Sequence, residues 1–126
     1  TSVTGYYSKM IRQGVLNSYV LDYIDKNRKK LLSAYPSFSK YQKDFEVNDK
    51  IIIGLRDYGI KNKVEAEEDE FKKSKEDFKL IIKALIARDL WDMSEYYQIV
   101  NVRDKGYNKA LEILKNWDKY HSELLN

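Results

Sequence analysis

The stretch that decides the fold is EAEEDEFKKSKEDFKLIIKALIARDLW, residues 65–91. Phe71, Phe78 and Leu85 follow one another at intervals of seven residues in it, and Ile82 and Ile86 fill the same side. This spacing predicts one long amphipathic helix near residues 65–91. Over so short a span, a heptad pattern is more typical of a bundle helix than of a coiled coil.

Charges along the same stretch fit a helix with a solvated outer face. The acidic run from Glu65 to Glu70 would lie at the positive end of the helix dipole. Lysines follow at spacings of three and four residues from these acids, so we expect ion pairs within the helix. The lysines concerned are Lys72, Lys73, Lys75 and Lys79.

Apolar residues upstream predict three more helices. Apolar residues recur with a helical period from Val15 to Leu32. Gly14 precedes this stretch and Pro36 follows it, and proline disfavours helical geometry in the preceding residue. A shorter patch at residues 6–11 precedes Gly14. Residues 38–45 predict one or two helical turns, with Ser37 as the N-cap.

The segment after Asn48 predicts a short helix of about ten residues that ends at Gly59. Its run of three isoleucines, residues 51–53, leaves a strand open as an alternative. Two flanking segments could be extended, residues 45–47 and 60–63.

The remaining chain predicts two further helices. Ser94 is a candidate cap for a helix over residues 96–100, and a break is expected near residues 101–104. A last amphipathic helix is expected from Tyr107 to His121. The whole chain, residues 1–126, is therefore predicted to be one all-α domain, an irregular bundle of about five to six helices.

The composition excludes several kinds of reactive site. The chain has 126 residues, no cysteine and one histidine, His121, so disulfides, thiol chemistry and a zinc site are not expected. No Gly-x-Ser-x-Gly motif is present, and we expect no catalytic residue and no cofactor. Carboxylates one turn apart, such as Glu67 with Glu70 or Asp89 with Asp92, are interpreted as solvated charge.

Nucleic-acid binding and membrane insertion are also not expected. The most basic cluster lies at residues 26–30, but the formal net charge is only +3, which gives little of the field that phosphate recognition needs. The five glycines are isolated and form no phosphate loop. No run of about 18 apolar residues could span a bilayer.

Five segments of the chain resemble a known family when they are taken in order. They are TSVTGYYSKMIRQG at residues 1–14, YVLDYIDKNRKKL at 19–31, DFEVND at 44–49, IKALIARDLWDMSEYYQIVN at 82–101 and NKALEIL at 108–114. Together they resemble the C-terminal helical region of bacterial carboxyl-terminal processing peptidases, also called tail-specific proteases. The resemblance extends over almost the whole chain.

This resemblance implies a parent enzyme with a PDZ domain and a protease core, in which a lysine activates a serine nucleophile. None of that catalytic motif occurs in these residues, so we expect the chain to be proteolytically inert alone. It begins at Thr1 and not at Met, and we expect it to be a piece of a longer polypeptide. The resemblance also implies a periplasmic or cell-envelope location.

The function expected from the resemblance is structural. The bundle would pack on the protease core, on the PDZ domain or on a second copy of itself, and so limit how substrate tails reach the serine. Candidate interface residues are Tyr6, Tyr7 and Met10, for which internal packing is the alternative. Two other readings stay open: a recruitment module that binds substrate or an adaptor in a groove between helices, and a free-standing cytoplasmic helical protein.

Overall fold

The computed structural model describes residues 4–103, and these residues form six α-helices and no strand. The helices are α1 (Gly5–Arg12), α2 (Val15–Ala34), α3 (Phe38–Asp44), α4 (Asp49–Lys61), α5 (Glu68–Leu90) and α6 (Met93–Arg103). The predicted all-α bundle is confirmed for this part of the chain. The expected helix from Tyr107 to His121, and His121 with it, lies outside the described residues.

Helix α5 is the centre of the bundle, as its heptad spacing predicts. Phe71, Phe78 and Leu85 are all buried, and Phe78 is fully inaccessible to solvent. Helices α1, α2, α4 and α6 each approach α5 closely. The apolar face of α5 is therefore the surface on which the other helices pack.

Two helices, α3 and α4, start at the caps that the sequence predicts. The Ser37 hydroxyl accepts a hydrogen bond from the Lys40 N–H at 3.3 Å, and the Asn48 side chain accepts one from the Ile51 N–H at 2.9 Å. Gly14 precedes α2 with a φ of 75°, a left-handed conformation that glycine adopts without steric cost. Ser94 is not a cap: it lies inside α6, where the Asp92 carboxylate accepts a hydrogen bond from the Met93 N–H instead.

Helix α4 does not end at Gly59 but continues to Lys61. The Val64 N–H donates to the Gly59 carbonyl at 2.8 Å, and the Lys63 N–H donates to the Ile60 carbonyl at 3.1 Å. This pair of bonds is a Schellman motif, in which Lys63 takes the left-handed position with a φ of 68°. The predicted extended segment over residues 60–63 is therefore wrong, because these residues complete and close the helix.

The charges on α5 pair mainly with α4 and less within α5. The Lys75 ammonium lies 2.8 Å from an Asp49 carboxylate oxygen and the Lys79 ammonium lies 3.5 Å from it, whereas the Lys79–Glu76 pair within α5 is at 4.0 Å. The hydrogen bond from Lys75 lowers the pKa of the Asp49 carboxyl. The expected internal pairing is thus largely replaced by a link between two helices.

Helix α3 is attached to the bundle through aromatic side chains. Tyr41 is fully buried, stacks on Phe45 with ring centroids 4.8 Å apart, and meets Trp91 edge to face at 5.3 Å. Its hydroxyl donates a hydrogen bond to the Lys83 carbonyl of α5 at 2.6 Å. One buried tyrosine therefore supplies both the packing and the polar contact that hold this short helix in place.

Two glycines let α4 approach its neighbours. A Cβ atom on Gly54 would overlap the Tyr19 hydroxyl, and one on Gly59 would lie 2.9 Å from the Met10 methyl group. The Tyr19 hydroxyl donates to the Ile51 carbonyl at 2.7 Å, which ties α2 to α4. No helix in residues 4–103 combines the length and the apolar character needed to cross a membrane.

We expect Lys63→Gly to stabilise the fold. Lys63 is a non-glycine residue with a positive φ at the end of α4, where glycine has no steric penalty. The gain should be about 0.5–1 kcal/mol in the free energy of unfolding, measured by urea denaturation. Lys61→Gly, inside the helix, is the matched control and should destabilise. A loss of stability in the Lys63 variant would contradict the assigned motif.

We expect the fold to lose stability above about pH 10. Burial raises the pKa of Tyr41 well above its usual value, so the native state keeps a proton that the unfolded state loses near pH 10.0. Stability is complete below that pH and falls as the pH rises, by about 1.4 kcal/mol per unit for this residue. Urea denaturation between pH 8 and 11.5 measures the slope. Tyr41→Phe should have a shallower slope, and an equal slope would contradict the prediction.

Candidate functional site

The first turn of α1 is fastened to α5 by hydrogen bonds. The Glu70 carboxylate accepts a bond from the Tyr6 N–H at 2.8 Å. The Thr4 hydroxyl accepts one from the Tyr7 N–H at 3.1 Å and shares another with the buried Ser74 hydroxyl at 2.6 Å. Glu70 therefore has a structural partner, and its spacing from Glu67 does not make an acid–base pair.

The three candidate interface residues on α1 do not share one environment. Tyr6 is buried and meets the rings of Phe71 and Phe78 edge to face, with centroids 6.2 and 5.9 Å away. Met10 is fully buried and lies against Gly59. These two side chains serve internal packing, the alternative that the sequence left open, because α1 must bury one face to stay on α5. Tyr7 is half-buried against Phe78 at 5.0 Å and remains an interface candidate.

The Tyr6 hydroxyl is buried without a partner. Among the side chains of residues 4–101, its oxygen is the buried polar atom that has no hydrogen bond. Burial raises the pKa of this hydroxyl, and the Arg56 guanidinium offsets part of the effect. A buried hydroxyl without a partner is a cost to the fold of roughly 1–3 kcal/mol.

An open groove runs between α5 and the extended segment that joins α3 to α4. It encloses about 500 Å³. Phe45 and Val47 belong to this segment and their side chains are buried, whereas the Glu46 side chain is exposed. The α5 side is formed by one helical stripe, and the full lining comprises Phe45, Glu46, Val47, Glu76, Lys79, Leu80 and Lys83.

Lys83 lines this groove and contacts α3. Its ammonium donates a hydrogen bond to the Gln42 carbonyl at 2.7 Å and lies 5.9 Å from the centre of the Tyr41 ring. Burial lowers the pKa of the ammonium, and the nearby Glu46 carboxylate acts in the opposite direction. The Tyr41 hydroxyl donates a hydrogen bond to the Lys83 carbonyl, and the Lys83 ammonium donates one to Gln42. Both the backbone and the side chain of Lys83 therefore hold α3 in place.

A second surface lies on the side of α4 that faces away from the core. Lys50, Ile53, Asp57 and Ile60 recur there at spacings of three and four residues, and we call these four residues the outer face of α4. Ile53 and Ile60 have exposed fractions of 45% and 50%, the largest among the large apolar side chains of the described chain. The opposite side of the helix is buried through Ile51, Ile52, Leu55 and Gly59.

Other charged motifs have structural partners or face solvent. Asp89 pairs with Arg88 at 3.0 Å, and Asp92 caps α6, so these two carboxylates do not act together. The basic residues of 26–30 are exposed on α2, and an Arg28 nitrogen lies 3.5 Å from the Asp89 carbonyl oxygen. Within residues 4–103, no group of three His, Cys, Asp or Glu side chains could hold a metal ion.

The groove and the outer face of α4 were not anticipated from the sequence. The groove depends on Gln42, Glu46 and Lys83 meeting across more than thirty residues, for which no local pattern exists. The outer face did have a signal, because Ile53 and Ile60 are seven residues apart. The sequence does not separate Ile53 from the apolar run at residues 51–53, and it assigns Ile60 to a segment that could be extended.

We expect Tyr6→Phe to stabilise the fold by about 1 kcal/mol, because it removes a buried hydroxyl that has no partner and keeps the ring packing. Thermal and urea unfolding measure the change. Tyr41→Phe is the matched control, since its hydroxyl is bonded, and it should destabilise by a similar amount. Destabilisation by the Tyr6 substitution would show that a bound water or another group satisfies the hydroxyl.

Comparison with known proteins identifies a family without an assigned activity. No curated protein and no solved structure matches the chain, and nothing in these comparisons links it to a carboxyl-terminal processing peptidase. One family model matches residues 6–92, from α1 to the end of α5, which is more than half of the chain. The chain therefore belongs to the family of unknown function DUF8443.

Proposed function

We propose that this chain is a non-catalytic helical domain that acts through contact with another protein. The observation that carries the proposal is the outer face of α4, where Ile53 and Ile60 are about half exposed although a buried core is already complete beneath them. Single exposed apolar residues are common, but here two lie on one helical face, seven residues apart, with charged residues beside them.

The peptidase resemblance supplies the candidate parent. In that proposal the serine and lysine belong to a protease core elsewhere in the polypeptide, in the periplasm or cell envelope. The bundle packs on that core, on the PDZ domain or on a second copy, and thereby limits the access of substrate tails. Tyr7, half-buried on α1, and the outer face of α4 are the surfaces available for this contact.

A second candidate function is recruitment of an extended peptide by the groove beside α5. The groove is open to solvent, and its lining combines Phe45 and Leu80 with charges of both signs. Residues 45–48 lie outside the helices, and Phe45 and Asn48 at the two ends have extended backbone angles, as in a segment that can pair with an added strand. This function would use Lys79, Leu80 and Lys83, none of which belongs to the outer face of α4.

We expect deletion of this domain from its full-length parent to change the oligomer mass, the rate of peptide cleavage, or both. The parent reading frame is first examined for an upstream serine and lysine core, whose absence would reject the peptidase part of the proposal. Light scattering then gives the mass, and a fluorogenic peptide gives the cleavage rate. Unchanged values for both would reject the contact function.

Two point variants in the intact parent separate the candidate functions. Ile60→Asn alters the outer face of α4, and Leu80→Asn alters the groove, while neither residue is fully buried. An assembly role predicts that the Ile60 variant changes oligomer mass. Recruitment predicts that the Leu80 variant raises KM for a protein substrate and leaves the oligomer mass unchanged.

A further inference from the structure

The charges on the outer face of α4 are arranged for pairing with another polypeptide. Lys50 lies three residues before Ile53, and Asp57 lies four residues after it, so all three residues lie on the same face of the helix. Lys50 is exposed and forms no ion pair within residues 4–103. Asp57 contacts the guanidinium of its chain neighbour Arg56 at 3.4 Å, a contact of little energetic weight at this exposure.

We propose that the outer face of α4 is a self-association surface on which α4 of a second copy lies antiparallel. With the twofold axis between Ile53 and Gly54, the Ile53 side chains of the two copies meet at the centre. Lys50 of each copy then lies beside Asp57 of the other, so one contact forms two equivalent ion pairs. A pattern that is complementary to itself when reversed identifies a second copy of this chain as the occupant.

The antiparallel direction follows from the spacing of the charges. Lys50 and Asp57 are seven residues apart, so they are separated by about 10 Å along the helix. In a parallel pair, each residue would face the same residue of the other copy. Lys50 would then lie about 10 Å from Asp57 of the partner and would not reach it. Reversal of one helix about Ile53 brings the two charges to the same level.

The size of the surface implies a weak dimer. Helix α4 has 13 residues and is therefore about 20 Å long. One face of such a helix buries less than the roughly 800 Å² per partner of a standard stable interface. Complementary charges then contribute mainly to the choice of partner and register, and like charges at the same positions oppose association strongly.

This inference rests on the proposed contact function, for which it names the partner. The two can fail separately. If the wild-type chain stays monomeric but deletion from the parent changes oligomer mass or cleavage, the α4 pairing is rejected and the contact function stands. If the chain dimerises but deletion changes neither value, the contact function is rejected and the pairing stands.

The test uses two charge reversals in the whole 126-residue chain, Lys50→Asp and Asp57→Lys. Each variant alone would set like charges against each other twice, so self-association should weaken by about tenfold or more. An equimolar mixture of the two variants restores opposite charges at both positions. Its association should return to within about threefold of the wild-type value. Sedimentation equilibrium over a concentration series at low salt measures all four samples.

Matched controls come from α2. Asp22 and Lys29 are also seven residues apart and exposed, so Asp22→Lys and Lys29→Asp change the same charges on another face and should leave self-association unchanged. Ile53→Asn should abolish association, whereas Leu21→Asn, at a nearly equal exposed fraction of 44%, should not. Thermal unfolding of every variant confirms that it is folded.

The pairing is overturned by any of three results. They are a wild-type chain that is monomeric at every concentration, single charge reversals that associate as strongly as wild type, and a mixture that fails to recover while both variants are folded. Weakening by Lys50→Asp would not be produced by a general effect of net charge, because this variant lowers the formal net charge from +3 to +1, that is 3 − 2, and so reduces repulsion between copies.

Discussion

Burial of one face of α5 is the interaction on which the other helices depend. Phe78, Ile82 and Ile86 are almost completely inaccessible, and each large apolar side chain buried in this way contributes roughly 1.5–3 kcal/mol. Helices α1, α3 and α6 have 8, 7 and 11 residues, lengths at which an isolated helix in water is marginal at best. They are held as helices by contact with α5, directly or through the side chains that surround it.

Polar contacts then determine where the short elements lie on that face. Glu70 binds the first turn of α1, Lys75 and Lys79 bind the first turn of α4, and Lys83 with Tyr41 binds α3. From the N-terminal to the C-terminal part of α5, these residues therefore contact α1, then α4, then α3. The sequence predicts that the charges of α5 pair within the helix, but several of them instead fix the positions of the neighbouring helices.

The two surfaces of interest have different physical origins. The groove beside α5 exists because the extended segment after α3 is clamped at both ends, by Lys83 at Gln42 and by Lys75 at Asp49. The outer face of α4 exists because that helix carries more isoleucines than one buried side accommodates. Contact with a second copy removes the exposed Ile53 side chains from water, whereas occupation of the groove leaves them exposed. The α4 face is therefore the stronger candidate for assembly.

Local patterns were sufficient for the all-α class, for the extent of α2 and α5, and for the caps at Ser37 and Asn48, because periodicity and capping depend on residues close together in the chain. Other features were decided by tertiary contacts. Gly59 looks like a helix stop but lies inside α4 against Met10, and Tyr6 and Met10 are core residues because α1 folds back onto α5. The lysines of α5 pair with Asp49, a residue more than twenty positions away. Such contacts join residues that are far apart in the sequence, so no local pattern predicts them. Only the packed structure therefore determines which side chains are buried in the core and which stay exposed to a partner.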